Sequence, residues 1–252
     1  MATKTFERTV MTRLRNILPN GEDRTARTAW LPLRTALFLI AHDDETGHIH
    51  IDLWRLARGL AAAVLFELWL AGRINIGWRF NAREGRAVKE SGLVTVMSPA
   101  PIGDPLSDNL LTTLWNTGGT LKASDVIDQF AETDLYERVR ADMIAAGVLR
   151  RTTRKRFRFF RTEAYEPSHK AYPVRARSMV RGLVDNYRRN YEMKLDRRAL
   201  ALSALVTALG LNRRLFVQRD GADSEFHRWL HYIVEQQIEP TIRDVVAAVT
   251  RR

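Results

Sequence analysis

Residues Asp52 to Ile76 read DLWRLARGLAAAVLFELWLAGRINI, the longest piece of the 252-residue chain that is too apolar to face water. Leu53, Leu56, Leu60 and Val64 recur at three- and four-residue steps, the spacing of one helical face. Ala61, Ala62, Ala63, Phe66, Leu68 and Leu70 fill the other sides, so little polar circumference remains after Arg58 and other helices must enclose the stretch. A membrane span needs about 20 apolar residues; Arg58 and Glu67 interrupt this run and Gly72-Arg73 ends it. The reading is therefore the central helix of a soluble bundle. Glu67 falls in its buried part, where a charge persists only with a partner. The expectation is a structural ion pair with Arg73 or with an arginine on a packing helix, rather than a catalytic carboxylate.

Toward the amino terminus, Leu31-Pro32 opens an apolar run to Ala41 that fits helix or strand. Asp43-Asp44-Glu45-Thr46-Gly47 is a turn signal whose acids lack the alternate spacing of a calcium loop. Residues 1–30 contain no continuous apolar segment of a secretory signal and read as a basic arm. Toward the carboxyl terminus, Ile74-Asn75-Ile76 and Leu93 to Val96 are predicted strands around a polar tip at 81–91. Asp104 is a predicted N-cap with Pro105 in the first turn, Ser124 caps a short helix to Phe130, and Leu135 to Ala146 forms another that stops at Gly147. Further helices are expected over 174–190 and 196–209, from Asp223 or Ser224 onward, and from Pro240 to Val249. The predicted fold is mainly α: a single-domain helical bundle over residues 31–252 around a buried central helix, with one or two short β-hairpins.

The chain holds 40 Lys+Arg against 29 Asp+Glu, a formal charge of +11, and no cysteine. Disulfides and thiolate metal sites are excluded, and the basic balance favours a polyanionic partner. The excess is local: Arg150, Arg151, Arg154, Lys155, Arg156, Arg158 and Arg161 supply seven of the eleven net charges with no acid among them. RFRFF alternates cation and ring, which reads as a β-hairpin with its tip near Thr153 to Lys155. Seven cations without local counter-charge destabilise a hairpin and call for an anionic partner. With Phe157, Phe159 and Phe160 interleaved, the expected partner is a membrane surface, its phosphates on the cations and the rings at the acyl boundary, against the plainer readings that the cations protect a solvated strand edge and that Phe157 and Phe159 fill the core. The alternative is a winged-helix nucleic-acid binder that places the 135–146 helix in a groove and the 150–161 wing on phosphates. The 135–146 helix offers only Arg138 and Arg140 as readers, beside Glu137 and Asp142.

Signs of catalysis are missing. There is no Gly-x-Ser-x-Gly elbow, phosphate-binding Gly-rich loop or dinucleotide fingerprint, and Gly118-Gly119-Thr120-Leu121-Lys122 has the wrong spacing to cradle phosphate. His227 and His231 are four apart, but Arg228 stands where a zinc protease carries glutamate. The reading is a non-enzyme without cofactor or metal.

LFLIAHDDETG, AAAVLFELWLAGRI, PAPIGDPLSD, Gly147-Val148-Leu149 before a hairpin, and DRRALALSAL occur in that order from Leu31 onward. Together they resemble the Golgi phosphoprotein 3 family, in particular its bacterial relatives. The resemblance implies a non-catalytic, adaptor-like protein, peripheral on the cytoplasmic membrane face. It further implies phosphatidylinositol 4-phosphate in a basic pocket, a hairpin on the bilayer, self-association into homo-oligomers and a protein cargo. The family pocket uses a tryptophan and an arginine near the central helix and two arginines before Gly-Val-Leu. Here the first arginine falls on Ala61 and the pair on Thr133 and Tyr136, while Trp54 matches the tryptophan loosely. The headgroup set assigned to this chain is accordingly Trp54, Arg55, Arg58, Arg138 and Arg140, for acidic phospholipid in general. The membrane-contacting hairpin residues are Arg154, Lys155, Arg156, Phe157, Arg158 and Phe160.

Overall fold

The computed structural model describes residues 31–81, 86–118, 120–156, 160–215 and 222–251, with the backbone alone at 78–81, 86–88, 154–156, 160–162 and 222–224. The arm expected at 1–30 lies outside the described residues. In chain order the elements are α1 (Leu33–Ala41), α2 (Leu53–Leu70), β1 (Ile74–Asn81), β2 (Arg86–Val96), α3 (Pro105–Asn116), β3 (Thr120–Lys122), α4 (Ala123–Ala131) and α5 (Leu135–Ala145). They continue with β4 (Leu149–Arg156), β5 (Phe160–Pro167), α6 (Ala171–Arg189), α7 (Arg197–Ala208), α8 (Ala222–Gln236) and α9 (Pro240–Thr250).

The central helix starts where Asp52 turns its carboxylate onto the amides of Trp54 and Arg55, at 2.9 and 3.1 Å. Every residue from Leu56 to Leu68 is buried, because α1, α3, α4, α5, α7 and α9 all pack on it. Close approach requires a missing side chain at Gly59: a Cβ there would meet a methyl of Leu209 at 2.6 Å and one of Leu37 at 3.2 Å. The apolar core runs from Leu31 to Val249. Among the described residues, no helix is long and apolar enough to cross a membrane.

Capping explains the other helix starts that the sequence marked. Asp104 accepts from the Ser107 amide at 3.0 Å with Pro105 in the first turn of α3, and Asp196 accepts from Arg198 and Ala199 at the start of α7. The run 33–41, ambiguous in sequence, is helix and wholly buried. Several expectations are corrected. Ser124 lies inside α4 rather than capping it, since β3 runs straight into the helix and leaves Lys122 at the N-cap position. α8 begins at Ala222, ahead of Asp223 and Ser224. The first hairpin ladders out to Asn81↔Arg86, so Asn81 and residues 86–91, expected in its tip, belong to the strands. β3, unforeseen, pairs antiparallel with β2 to give a three-stranded sheet in the order β1-β2-β3.

Glu67 has the partner that its burial demanded, on a packing helix rather than at Arg73. Arg198 of α7 donates to both its oxygens at 2.6 and 2.5 Å, and the Leu33 amide donates to Oε1 at 2.6 Å. One carboxylate thus ties α2 to α7 and to the first turn of α1. Arg34 makes the corresponding bidentate contact with Asp104, at 2.9 and 2.6 Å, and ties α1 to α3. Removing one partner of a buried pair strands the other, at a cost of about 3–5 kcal/mol. Glu67→Ala should therefore lower unfolding free energy by roughly that amount in urea titration. Adding Arg198→Ala should cost less than the sum of the single changes, and strict additivity would contradict the coupling.

Candidate functional site

The chain between α1 and α2 closes one end of the bundle, and the two elements the sequence assigned to function meet there. Asp43 holds the turn, accepting from the amides of Glu45 and Thr46 and from the Thr46 hydroxyl at 3.1, 2.7 and 2.7 Å. These bonds hold its carboxyl below the ordinary range. Asp44 is clamped by both guanidinium arms of Arg177 on α6, at 2.7 and 2.8 Å. Gly47, at φ +68°, lets the turn lie against β5: a Cβ there would sit 2.7 Å from the Tyr165 carbonyl oxygen.

Tyr165 is also held from α5. The Arg140 guanidinium lies 4.1 Å from its ring centroid and 5.6 Å from that of Tyr136. Tyr136 stacks in turn on Phe38, while His42 stacks on Phe38 at 3.9 Å and meets the Tyr136 hydroxyl at 3.0 Å. The Phe38 carbonyl, 2.7 Å from His42 Nδ1, can only accept, so Nδ1 carries the proton and Nε2 accepts from the tyrosine. Burial is the main cause that lowers the His42 pKa to about 4, with His50, Arg140 and His48 adding repulsion.

The β4–β5 ladder runs from Leu149↔Pro167 to Arg156↔Phe160. Thr153 to Lys155, expected at the tip, are therefore paired strand. Phe157 and Arg158 lie outside the described residues, as do the side chains of Arg154, Lys155, Arg156 and Phe160. A second correction concerns counter-charge. The returning strand places Glu163 on Arg151 and Glu166 3.4 Å from Arg150, so the hairpin base is neutralised in part. The sequence window contains no acid because its acids come from the opposite strand.

At the same end, Trp54, Arg55 and Arg58 of α2 meet the last turns of α7 (Ala208, Leu209) and α9 (Val249, Thr250, Arg251) around a cavity of about 350 Å³. Arg58 is buried, with Nη1 2.9 Å from Asp128 and Nη2 2.6 Å from the Ala248 carbonyl. Leu53 and Trp54 are 48% and 43% exposed, unusual for large apolar side chains. Just beyond α7, Arg213 and Arg214 are exposed, and Arg214 adds to the burial that lowers the His50 pKa.

The five residues expected at a headgroup thus divide. Trp54, Arg55 and Arg58 share the cavity, whereas Arg138 and Arg140 do not line it. Arg138 donates to Thr133 at 3.2 Å and Asn109 at 3.1 Å, over the Phe130 ring, and Arg140 pairs with Glu137 while stacking on Tyr165. Reading the sequence missed Arg251, which reaches the site only because α9 folds back on α2. Among the described residues, no group of three or more His, Asp and Glu is placed to hold a metal.

The pattern of the Golgi phosphoprotein 3 (GPP34) family matches residues 33–249 of the chain. No individual curated protein matches it.

Gly47→Ala should cost about 1–3 kcal/mol through its positive φ and its clash with Tyr165, and should speed hydrogen exchange across residues 149–167. Unchanged exchange there would mean that the hairpin base does not depend on this seat. The lowered His42 pKa fixes a pH dependence as well. A histidine kept neutral in the fold but titrating near 6.5 when unfolded stabilises fully above that value and loses its contribution as pH falls toward 4. A shift of this size is worth about 3 kcal/mol, so the urea midpoint should drop between pH 7 and 4.5 in the native chain and drop less in His42→Phe.

Proposed function

Since this chain belongs to the Golgi phosphoprotein 3 family, a membership consistent with a non-catalytic, adaptor-type role, we propose that it binds acidic phospholipid as a peripheral protein on the cytoplasmic membrane face. The observation that carries this reading is the convergence at one end of the bundle. The hairpin that carries Arg154, Lys155 and Arg156 is seated at Tyr165 on the 43–47 turn. The exposed pair Leu53-Trp54 and the rim cations Arg55 and Arg251 stand on the same end. An apolar pair including tryptophan beside cations that make no ion pair among the described residues suits the headgroup layer, where rings sit at the interface and cations meet phosphates. Phosphatidylinositol 4-phosphate is the finer form of the reading. A homo-oligomer and a held protein cargo accompany it as the adaptor's partners.

The nucleic-acid alternative has one observation in its favour: β3-α4-α5-β4-β5 follows the order of a winged helix. Its reading helix would be α5, whose two arginines are committed to Asn109, Thr133, Glu137 and Tyr165. The lipid reading needs neither of them.

The test is sedimentation with vesicles of phosphatidylcholine alone or mixed with anionic lipid. Binding should require the anionic lipid and weaken with salt. At about 1 kcal/mol per cation near the surface, neutralising Arg154, Lys155, Arg156 and Arg158 together should lower the partition coefficient at least a hundredfold. Trp54→Ala should lower it further. Unchanged sedimentation of the fourfold variant, or a shift of duplex DNA without vesicle binding, would refute the reading.

A further inference from the structure

A cluster of aromatic rings lies where the end of α6 packs on α8, on a face that the lipid reading leaves unused. Tyr187, Tyr191, Trp229 and Tyr232 stand with adjacent ring centroids 5.2 to 6.3 Å apart. Tyr187 is buried and belongs to the core, and Trp229 is partly buried against it. The others reach outward: Tyr191 is 58% exposed, Tyr232 46%, and Met193, two residues on from Tyr191, 41%. Scattered apolar residues are ordinary on a surface, whereas neighbouring ones mark an interaction site.

The charges around the rings say what kind of partner fits. Residues three, four and seven apart on a helix share a face, so Glu225, Arg228, Trp229, Tyr232, Glu235 and Gln236 form one outward stripe on α8. Glu225 is already taken, accepting from Arg188 at 2.9 Å and from the Trp229 indole at 3.4 Å. Arg228 is exposed and makes no ion pair among the described residues. Glu235 meets only the His231 ring, at 3.2 Å, an ion pair only when that histidine is protonated. The stripe therefore offers a cation on one side of Tyr232 and an anion on the other. Exposed Glu192 beside Tyr191, with Glu225 and Glu235, opposes an anionic lipid or nucleic acid. Arg188, Arg189 and Arg228 oppose a basic peptide in the same way. A surface with both signs at opposite ends is complementary to itself.

We infer that the aromatic face of α6 and α8 is an interface between two copies of this chain, with their α8 helices antiparallel. The inference rests on the homo-oligomer of the reading above and assigns it a surface; it uses neither the hairpin nor the cavity. A two-fold axis passing between Trp229 and Tyr232 sets Trp229 against the second copy's Tyr232. It also leaves Arg228 about 3 Å along the axis from the second copy's Glu235, within reach of a guanidinium. A parallel copy would set like charges together. The contact occurs twice by symmetry and closes on two copies, with the rings at its centre and the charged pairs around them, as binding energy is usually distributed.

The experiment is sedimentation equilibrium of the full chain over a dilution series. The native chain should show a monomer–dimer equilibrium without larger species. Arg228→Glu alone and Glu235→Arg alone place like charges opposite at both contacts, and each should raise the dimer Kd on the order of tenfold. Mixed in equal parts, the two variants place opposite charges together at both contacts, and their mixed dimer should return to within about threefold of the native Kd. Tyr232→Ala should raise Kd at least about tenfold with the circular dichroism spectrum unchanged. A dimer indifferent to these substitutions, a mixture that associates no better than the separate variants, or assemblies larger than two would each overturn the inference. A full chain that stays monomeric at the highest concentration reached would overturn it as well and would remove the homo-oligomer from the proposed function, while vesicle sedimentation would still decide lipid binding.

Discussion

A helix without a polar face leaves its charged residues no way out to water, and the rest of this fold is arranged around that constraint. Only Arg58 and Glu67 carry charge within the buried part of α2, and each is drawn into a contact with another helix: Glu67 to Arg198 on α7, Arg58 to Asp128 on α4 and the Ala248 carbonyl on α9. Isolated charge at those depths is far costlier than the ordering of the partner. The two contacts therefore fix which helices surround α2 and at what height. The remaining pair, Arg34 with Asp104, extends the same device to α1 and α3.

That placement determines what the open end of the bundle looks like. Because α7 and α9 end beside the first turns of α2, their final residues meet Trp54, Arg55 and Arg58 around a cavity. Because α1 and α2 are joined at this end by a connection of about ten residues, the joining turn lies beside the hairpin and can seat Tyr165. The hairpin is two-stranded, and such a ribbon is marginal by itself. Arg140, the Gly47 contact and the Phe38-His42-Tyr136 stack supply the third surface that it lacks.

The elements were legible in sequence where local chemistry acts alone. Asp104 caps the helix that its position announced, and the all-round apolar pattern of α2 implied an enclosed helix with a paired Glu67. What could not be read is what depends on pairing across distance. β3 is three residues long and exists only because β2 offers an edge. The acids opposite Arg150 and Arg151 lie twelve or more residues away, so a window count made the hairpin look more bare than it is. Of the candidate site, the contribution of α2 was legible and that of α9 was not: nothing in the local pattern of TRR at the end of α9 says that it returns to Trp54.

The arginines divide according to whether the fold has already given them an acceptor. Arg34, Arg177 and Arg198 end in bidentate carboxylate contacts, and Arg140 ends between a glutamate and two rings. Their charge serves position, and a ligand would have to displace an internal partner to use it. Arg55 and Arg251 have none among the described residues, and the same applies in part to a hairpin whose acids reach only its base. A surface that binds by charge must keep charge in reserve, since an ion pair already made contributes little attraction beyond its own radius at physiological salt. By that criterion the net basicity of the chain overstates its reach. Arg55 and Arg251 also lie where the exposed Leu53 and Trp54 give them an apolar anchor.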